Sequence, residues 1–408
     1  MKNISLKIAL FINYFVFAAL LNSVGILILK SQNVYGVSEN LAGWLDPAKD
    51  MTIAVVAFFV GSLLPKFGHK KGMLISYIIV FVGCLTMYFA DSFFTVALLF
   101  ACTGFSFAII KVSVYTLIGV VAETDKAHKS FMSIIESVFM LGIVFAYIVF
   151  PLFNSETDPK AWLNVYLVLA ALIAVVFIFI AFSKFDLPAE VPSSLKEDVN
   201  TMGNLLKRPL IILFAVFAFM YVMTEQGIMS WLPTFNQKTL HLNESLASQM
   251  AVILMLSIAI GRFVSGFIIK KIHWYIYLTS CLVAAALLVI FALPLASGLA
   301  VTNISTLENV PLIGFVFPLI GLFLAPIYPI INSTILSATE KIHHSAVAGL
   351  LTFFSAVGGS FGSVVIGRLF QVVGGDKVFY FALIPLTILI VVLFFINKTT
   401  KKTEINAD

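Results

Sequence analysis

The sequence predicts an all-α membrane protein with twelve transmembrane helices in two six-helix halves and with both termini in the cytoplasm. Three observations predict this fold class. Hydrophobic residues make up 61% of the 408 residues and charged residues only 11%, against about 25% charged residues in a typical soluble domain. Twelve apolar runs are long enough to cross a bilayer, and one polar segment divides them six and six. This composition excludes a soluble enzyme, a nucleic-acid-binding module and a disordered chain.

A membrane-spanning helix needs about 20 mostly apolar residues. The first apolar run follows Met1-Lys2-Asn3 and continues to Leu29 without a clear small-residue cleavage site. We therefore interpret it as the first span and not as a signal peptide. The predicted spans, numbered in chain order, are 6–29, 45–65, 73–90, 93–121, 130–153, 162–182, 208–235, 246–269, 273–296, 309–338, 344–372 and 377–396.

The domain boundaries follow from the one long polar connection between spans. It predicts an N-terminal half of residues 1–182, a cytoplasmic linker at 183–207, a C-terminal half at 208–397 and a cytoplasmic tail at 398–408. Positively charged loops face the cytoplasm. Of the 25 Lys and Arg residues, 17 lie in segments on the side of the N-terminus and 5 in the opposite loops. We therefore expect a multi-pass protein of the inner, cytoplasmic membrane, without a nucleic-acid partner.

The two halves also resemble each other. A shift of 217 residues maps Gly104 onto Gly321 in spans 4 and 10, and Gly142 onto Gly359 in spans 5 and 11. Many transporters consist of repeated halves, with the binding site near the bilayer midplane. The sequence contains no phosphate-binding GxxxxGK[ST] loop and no HExxH metal motif. We therefore expect neither an enzyme nor a metal or other cofactor, and an ion gradient as the driving force.

Lys111 in span 4 and Glu136 in span 5 are charged residues well inside apolar runs. Charges at mid-bilayer cost several kcal/mol, so functional roles are the default interpretation. Both residues are equally far from the centre of the connecting loop, and antiparallel helices would place them at the same depth. We predict a Lys–Glu pair that faces a cavity. The alternatives are a buried structural pair, or a lysine that loses its proton or binds an anionic substrate.

Glu225 in span 7 has no basic residue near it in sequence. It is a candidate proton carrier because a buried environment favours the neutral form of a carboxyl group. It could instead accept hydrogen bonds from sugar hydroxyls or from a neighbouring helix. The uncharged candidates for substrate contacts are Gln226 in the same span, Asn22 and Ser23 in span 1, and Asn332 in span 10; their alternative role is to join helices.

Two arginines and three prolines complete the candidate residues. Arg262 and Arg368 lie near the inner ends of spans 8 and 11, where we expect their side chains to snorkel to the interface. Span 10 contains Pro318, Pro326 and Pro329. Each proline removes a backbone donor and bends a helix. The prolines make span 10 a gate candidate, with a static kink as the alternative.

The stretch Gly61-Ser62-Leu63-Leu64-Pro65-Lys66-Phe67-Gly68-His69-Lys70-Lys71 connects spans 2 and 3. It resembles the signature G-x-L-x-D-R-x-G-R-K of the major facilitator superfamily, although Pro65 replaces the acidic residue that helps to latch the inward side. The six-plus-six layout and the topology are also similar to that family. The resemblance implies the major facilitator fold and secondary transport by alternating access, and we expect a monomer. The gating-loop residues that it implies are Gly61, Gly68, Lys70 and Lys71.

The stretch from Tyr221 to Ile228 resembles helix 7 of the fucose–galactose–glucose/proton symporter branch, which reads roughly Y-V-G-A-E-x-x-I. Gly261-Arg262-Phe263 in span 8 agrees with that branch. The branch has an aspartate in helix 1 and an E-T-A-A-N-P run in helix 4, and this chain has neither. The resemblance implies proton-coupled symport of a small polar solute, with a sugar preferred. The alternatives are an organic-anion or drug transporter of the same fold, and a non-transporting sensor or scaffold.

Overall fold

The computed structural model describes residues 4–23, 27, 31, 34–37, 45–90, 92–122, 124–153, 158, 160–183, 195–296 and 304–405. The described chain is helical, and its one β feature is an isolated bridge between Leu242 and Ile304. We number the membrane helices after the predicted spans. They are α1 (Ile4–Leu21), α2 (Leu45–Phe67), α3 (His69–Ala90), α4 (Phe93–Val121), α5 (Asp125–Leu152), α6 (Asn164–Phe182), α7 (Pro209–Lys238), α8 (Glu244–Ile268), α9 (Trp274–Ala292), α10 (three pieces between Leu312 and Ser337), α11 (His344–Val373) and α12 (Leu383–Ile405).

Eleven helices in the described residues are long and apolar enough to cross a membrane. Their length and apolar composition identify an integral, multi-pass membrane protein. Predicted span 1 corresponds to the shorter apolar helix α1, and most of residues 24–33 lie outside the described residues. The total of twelve spans and the cytoplasmic location of both termini stay predictions. Within the predicted linker, Leu195–Leu206 forms a helix, while residues 184–194 lie outside the described residues.

The chain folds into two compact units. Unit 1 contains Met1–Glu123, Val138–Leu205 and Thr339–Phe353; unit 2 contains Thr124–Ser137, Leu206–Ala338 and Phe354–Asp408. The boundaries cut through α5 and α11. The beginning of α5 therefore packs within unit 2, and the beginning of α11 packs within unit 1.

One pair of the glycines that suggest an internal repeat, Gly104 and Gly321, makes equivalent contacts in the two units. A Cβ on Gly104 of α4 would lie 2.9 Å from the carbonyl oxygen of Lys49 in α2. A Cβ on Gly321 of α10 would lie 2.9 Å from the carbonyl oxygen of Leu254 in α8. Both glycines thus allow helix backbones to approach more closely than a side chain would permit. The same helix pair, shifted by six helices, is packed in the same way.

Helix α10 is interrupted at two of its three prolines, Pro318 and Pro326, whereas Pro329 lies inside its last helical piece. Its α-helical pieces are Leu312–Val316, Ile320–Leu324 and Ile327–Ser337. A 3₁₀ turn that contains Pro318 separates the first two pieces, and Ala325-Pro326 separates the last two. Because proline has no N–H group, Pro326 cannot donate to the carbonyl group of Leu322, four residues earlier. We call Ala325-Pro326 the α10 break.

The predicted gating loop lies between α2 and α3 in unit 1. Gly68 has a φ of +96°, a backbone conformation that residues other than glycine rarely adopt. Lys70 Nζ donates a hydrogen bond of 2.9 Å to the carbonyl oxygen of Ser183, and Lys71 is exposed. A Cβ on Gly61 would lie 3.1 Å from Gly349 Cα, at the beginning of α11. The loop therefore connects directly to other parts of its own unit.

Candidate functional site

A buried cluster of charges lies in unit 2, where α5, α7 and α8 meet. Arg262 of α8 is 4% exposed and contacts two carboxylates. Its Nη1 donates to Glu136 Oε2 at 3.2 Å, and its Nη2 donates to Glu225 Oε1 at 2.9 Å. Both glutamates are buried as well. We call Glu136, Arg262 and Glu225 the charged triad.

The first turns of α5 are held close to α8, and this packing positions Glu136. Ser137 Oγ donates to the carbonyl oxygen of Ala259 at 2.8 Å. A Cβ on Gly266 would lie 3.1 Å from the carbonyl oxygen of Ser130, so a glycine is needed for the two helices to approach this closely. One turn deeper in α8, Arg262 then reaches the Glu136 carboxylate.

Tyr221 extends the charged triad along α7. It precedes Glu225 by one helical turn, so both side chains lie on one face of the helix. Its hydroxyl group is fully buried and lies 2.7 Å from Glu225 Oε1. The same hydroxyl lies 3.0 Å from the carbonyl oxygen of Leu324, the residue before the α10 break. The phenol ring stacks on Tyr328 of α10, with ring centroids 5.7 Å apart.

The charge balance of the triad is uneven. Two carboxylates share one guanidinium group, which gives a formal charge of −1 when all three groups are ionised. Removing ions from water costs several kcal/mol each, and mutual attraction offsets this only with good geometry and further hydrogen bonds. Tyr221 supplies one such hydrogen bond. A proton or a cationic group would neutralise the remaining charge, so the arrangement is suited to proton binding.

The structure places Arg262 differently from the sequence prediction. The expected snorkelling of its side chain to the interface is wrong, because the guanidinium group is buried against two carboxylates. One signal in the sequence indicates this position. Arg262 precedes Lys270 by eight residues, which places it about 12 Å deeper along the helix. At that depth the side chain is too far from the interface to reach it by snorkelling. Arg368, in contrast, is exposed.

Lys111 lies in unit 1, half-buried on α4. Its Nζ lies 5.7 Å from the ring centroids of Phe107 and of Tyr115, one turn away on either side. Aromatic faces attract a cation at this distance. Glu136 belongs to unit 2, where its carboxylate binds Arg262. The pairing of Lys111 with Glu136 therefore stays a prediction.

The uncharged candidate residues occupy different surroundings. Asn22 Nδ2 donates to the carbonyl oxygen of Ala18 at 2.9 Å, within its own helix. Gln226 follows Glu225 and packs near Gly359 of α11. Asn332 is fully buried in the last piece of α10, one turn after Tyr328. Of the uncharged candidates, Gln226 and Asn332 thus lie on helices of the charged triad or of its tyrosine pair.

The site contains two tyrosines, Tyr221 and Tyr328, that were not predicted from the sequence. Tyr221 and Glu225 are four positions apart, and this spacing is a signal for a side-chain pair on one helix. Nothing in the sequence links Tyr328 to Tyr221, which is 107 positions earlier. Among the described residues, no group of three or more His, Cys, Asp or Glu side chains lies close enough to hold a metal ion.

Two relatives share low sequence identity with this chain. The Protein TsgA homolog of Buchnera aphidicola subsp. Schizaphis graminum is 23% identical over 364 residues, which is 86% of this chain and 85% of that protein. The Protein TsgA homolog of Buchnera aphidicola subsp. Baizongia pistaciae is 22% identical over 205 residues, or 50% of this chain. That match spans about half the length of the relative, at 48%.

Solved structures share the fold. A variant of the E. coli fucose:proton symporter FucP matches with a TM-score of 0.79 and 13% identity, over 97% of this chain and 99% of the other. The human organic anion transporter MFSD10 matches with a TM-score of 0.74 and 14% identity, over 96% of this chain and 100% of the other. The sequence profile of the Major Facilitator Superfamily matches residues 8–363. The chain therefore belongs to the Major Facilitator Superfamily of transporters.

Proposed function

We propose that this protein is a secondary active transporter that moves a small polar solute by alternating access, coupled to the symport of a proton. The observation that carries the proposal is the charged triad. Two buried carboxylates of different helices share Arg262. A change in the protonation of one carboxylate therefore changes its ion pair with Arg262. A change of this kind at buried, intramembrane carboxylates is the usual chemical basis of proton relays in transporters.

A sugar is the preferred solute. The stretch around Glu225 resembles helix 7 of sugar–proton symporters, and the fucose:proton symporter FucP has the same fold. Tyr221 contacts the triad and stacks on Tyr328, and Asn332 lies one turn after Tyr328. Their hydroxyl and amide groups are suited to hydrogen bonds with sugar hydroxyls. In this proposal Glu225 carries the proton or contacts the solute, and Glu136 changes its partner during the cycle.

Uptake into liposomes tests the proposal. The full-length protein is reconstituted, a pH gradient is imposed, and uptake of labelled hexoses, pentoses and small carboxylates is recorded. We expect gradient-driven accumulation of a sugar that is lost in Glu225→Gln. The matched control is Glu308→Gln, which changes an exposed glutamate outside the spans. Accumulation that needs no pH gradient, or that persists in Glu225→Gln, would contradict proton symport through this residue.

Transport of an organic anion is the second candidate. Lys111 is a half-buried cation inside α4 with aromatic rings on either side. The human organic anion transporter MFSD10 shares the fold. A lysine at this depth can bind a carboxylate or phosphate group because the surrounding medium screens the attraction weakly. In the same liposomes, carboxylate uptake without sugar uptake, lost in Lys111→Gln, would favour this candidate over the sugar.

Drug export and a non-transporting sensor or scaffold are distinguished by two readouts, one in cells and one in the liposomes. Export of a drug predicts a resistance phenotype in cells. A sensor predicts that no solute of the panel crosses the membrane, although the protein is folded. Either result would replace the symport proposal.

A further inference from the structure

Tyr221 contacts α10 on both sides of the α10 break. Its hydroxyl group lies 3.0 Å from the carbonyl oxygen of Leu324, immediately before Ala325-Pro326. Its ring stacks on Tyr328, two residues after the break, with an interplanar angle of 19°. Tyr328 is itself held by a 3.0 Å hydrogen bond between its hydroxyl group and Ser355 of α11. A single side chain of α7 thus contacts α10 before and after the α10 break.

The Tyr221 hydroxyl group has one proton and two acceptors. Glu225 Oε1 lies 2.7 Å away and the Leu324 carbonyl oxygen 3.0 Å away. A carboxylate is the stronger acceptor, because hydrogen bonds to charged groups are roughly twice as strong as neutral ones. When Glu225 is ionised, the hydroxyl proton is therefore directed at Glu225. When Glu225 is protonated, the carbonyl group of Leu324 becomes the competitive acceptor.

We propose that Tyr221 is a positioning residue that transmits the protonation state of Glu225 to the α10 break. With ionised Glu225, the Tyr221 hydroxyl group donates to the carboxylate, and the α10 break lacks this hydrogen bond to α7. With protonated Glu225, its hydroxyl group donates to Leu324 and fixes the break against α7. The incoming proton forms an O–H bond with Glu225, and all other changes in this step are changes of hydrogen bonds. The inference rests on the proposed function, because it uses the same proton site.

Other titratable groups surround Glu225 and belong in the same equilibrium. On α7 the neighbour is Tyr221, on α8 it is Arg262, and Arg262 in turn binds Glu136 at the beginning of α5. Helix α10 contributes Tyr328 through the stacked rings. Because Arg262 keeps Glu136 as a partner, protonation of Glu225 does not leave the guanidinium group without a carboxylate.

Helix α8 packs closely against the α10 break. A Cβ on Gly261, the residue before Arg262, would lie 2.6 Å from Ala325 Cβ and 2.8 Å from the carbonyl oxygen of Leu322. The α10 break therefore lies directly against the part of α8 that carries the guanidinium group. A small movement at the break must be accommodated between α7 and α8, and Tyr221 is the polar contact on the α7 side.

A distance measurement across the break tests the inference. Spin labels are placed at Leu319 and Ser337, which are exposed and lie on either side of the break. The three native cysteines, Cys84, Cys102 and Cys281, are first replaced by serine. A straight helix would separate the labelled positions by about 27 Å. Double electron–electron resonance measures distances of this size. The labelled full-length protein is compared in acidic and in alkaline buffer.

We expect the distance distribution to differ between the two buffers in the wild-type protein and to be the same in both for Tyr221→Phe. Phenylalanine keeps the stacked ring and removes only the hydroxyl group. The control is Tyr166→Phe, which removes another fully buried hydroxyl group, one without a hydrogen-bond partner in the described residues. In Glu225→Gln the distances should not respond to pH, and the double variant Glu225→Gln with Tyr221→Phe should not respond to pH either.

Two results would overturn the inference. One is a pH response of Tyr221→Phe equal to that of the wild type. The other is a wild-type protein whose distances do not respond to pH. The uptake assay separates these results from failure of the proposed function. If Glu225→Gln loses accumulation while Tyr221→Phe keeps both accumulation and the distance change, only the role of Tyr221 is wrong. If the wild type accumulates no solute but its distances respond through Tyr221, only proton symport is wrong.

Discussion

Arg262 and Glu136 are 126 positions apart in the chain, and their side chains form a buried ion pair of 3.2 Å within unit 2. This pair joins the beginning of α5 to α8, and Glu225 completes it from α7. The guanidinium group is therefore the shared partner of two carboxylates. Each change to the triad should alter both the stability of unit 2 and its response to protons.

Removal of the guanidinium group should destabilise the protein strongly. Breaking a buried ion pair by removing one partner typically costs about 3–5 kcal/mol, because an unpaired buried charge remains. Arg262→Gln leaves two such carboxylates, so we expect a loss of this order. The measurement is thermal unfolding of the purified protein in detergent. The control is Arg368→Gln, which changes an exposed arginine of α11 and should have little effect.

Neutralisation of the carboxylates should restore the stability. In Arg262→Gln combined with Glu136→Gln and Glu225→Gln, no charge remains in the triad. We expect this triple variant to unfold at a higher temperature than Arg262→Gln alone, because it leaves no unpaired buried carboxylate in the triad. If the triple variant is less stable than the single one, the triad is not the source of the loss.

The sequence could reveal the charged residues of the triad but not their arrangement. Glu136 and Glu225 are recognisable because charges inside apolar runs are rare. Their shared partner is not, because the pairing depends on which helices are neighbours and on which face of α8 Arg262 lies. The expected interfacial position of Arg262 is wrong, because its guanidinium group is buried against these two carboxylates. The depth of the residue is readable from its distance to Lys270, whereas its partners require the tertiary structure.

Concentrative uptake should depend on both predicted members of the Lys–Glu pair. We expect Glu136→Gln and Lys111→Gln each to reduce gradient-driven accumulation, because each removes a charge inside the membrane-spanning part. The measurement is uptake with and without a pH gradient, next to exchange of labelled for unlabelled solute at equal pH. Glu340→Gln, at an exposed position, is the control. If both variants accumulate solute like the wild type, the proposed mechanism is wrong.

The glycines at equivalent helix contacts should be equally sensitive to a methyl group. Gly104→Ala and Gly321→Ala would each bring a Cβ to 2.9 Å from a backbone carbonyl oxygen, so the helices must separate. We expect lower unfolding temperatures for both. Gly203 lies in the helix Leu195–Leu206 with nothing within 4 Å of an added Cβ. Gly203→Ala should therefore be neutral or stabilising, by up to about 1 kcal/mol. Similar effects at all three positions would contradict this account.

The repeat and the interruptions of α10 are features that the sequence predicts well. Both depend on residues whose backbone chemistry is independent of context. Proline lacks a donor wherever it stands, and glycine lacks a Cβ. The predicted first span, 6–29, overlaps the helix Ile4–Leu21, and residues 24–26 and 28–29 lie outside the described residues. The stacking of Tyr221 on Tyr328 lies beyond sequence reasoning, because two separate helices must first be placed side by side.

The orientation of the protein in the membrane should follow the distribution of lysine and arginine. We expect a cysteine at Lys271 to react with a membrane-impermeant maleimide only from the cytoplasmic side, and a cysteine at Glu308 only from the opposite side. Both positions are exposed and lie outside the membrane-spanning helices. The measurement uses the cysteine-free protein in oriented membrane vesicles. Labelling of both positions from one side would contradict the predicted topology.

Pro326 should be needed for fast transport and not for folding. Pro326→Ala supplies an N–H group that can donate to the carbonyl group of Leu322, so α10 gains the hydrogen bond that the proline prevents. We expect a higher unfolding temperature and a lower initial rate of uptake, because a more regular α10 bends less easily. The same direction is expected for Pro329→Ala, which restores the donor for Ala325.

A proline in an unbroken helix provides the matched control. Pro233 lies inside α7, which continues through it to Lys238. Pro233→Ala also supplies an N–H group, and we expect it to change stability without slowing uptake, since no break is closed. Equal slowing in Pro233→Ala and Pro326→Ala would indicate a general effect of helix stiffness. Uptake by Pro326→Ala at the wild-type rate would leave the α10 break as a static kink.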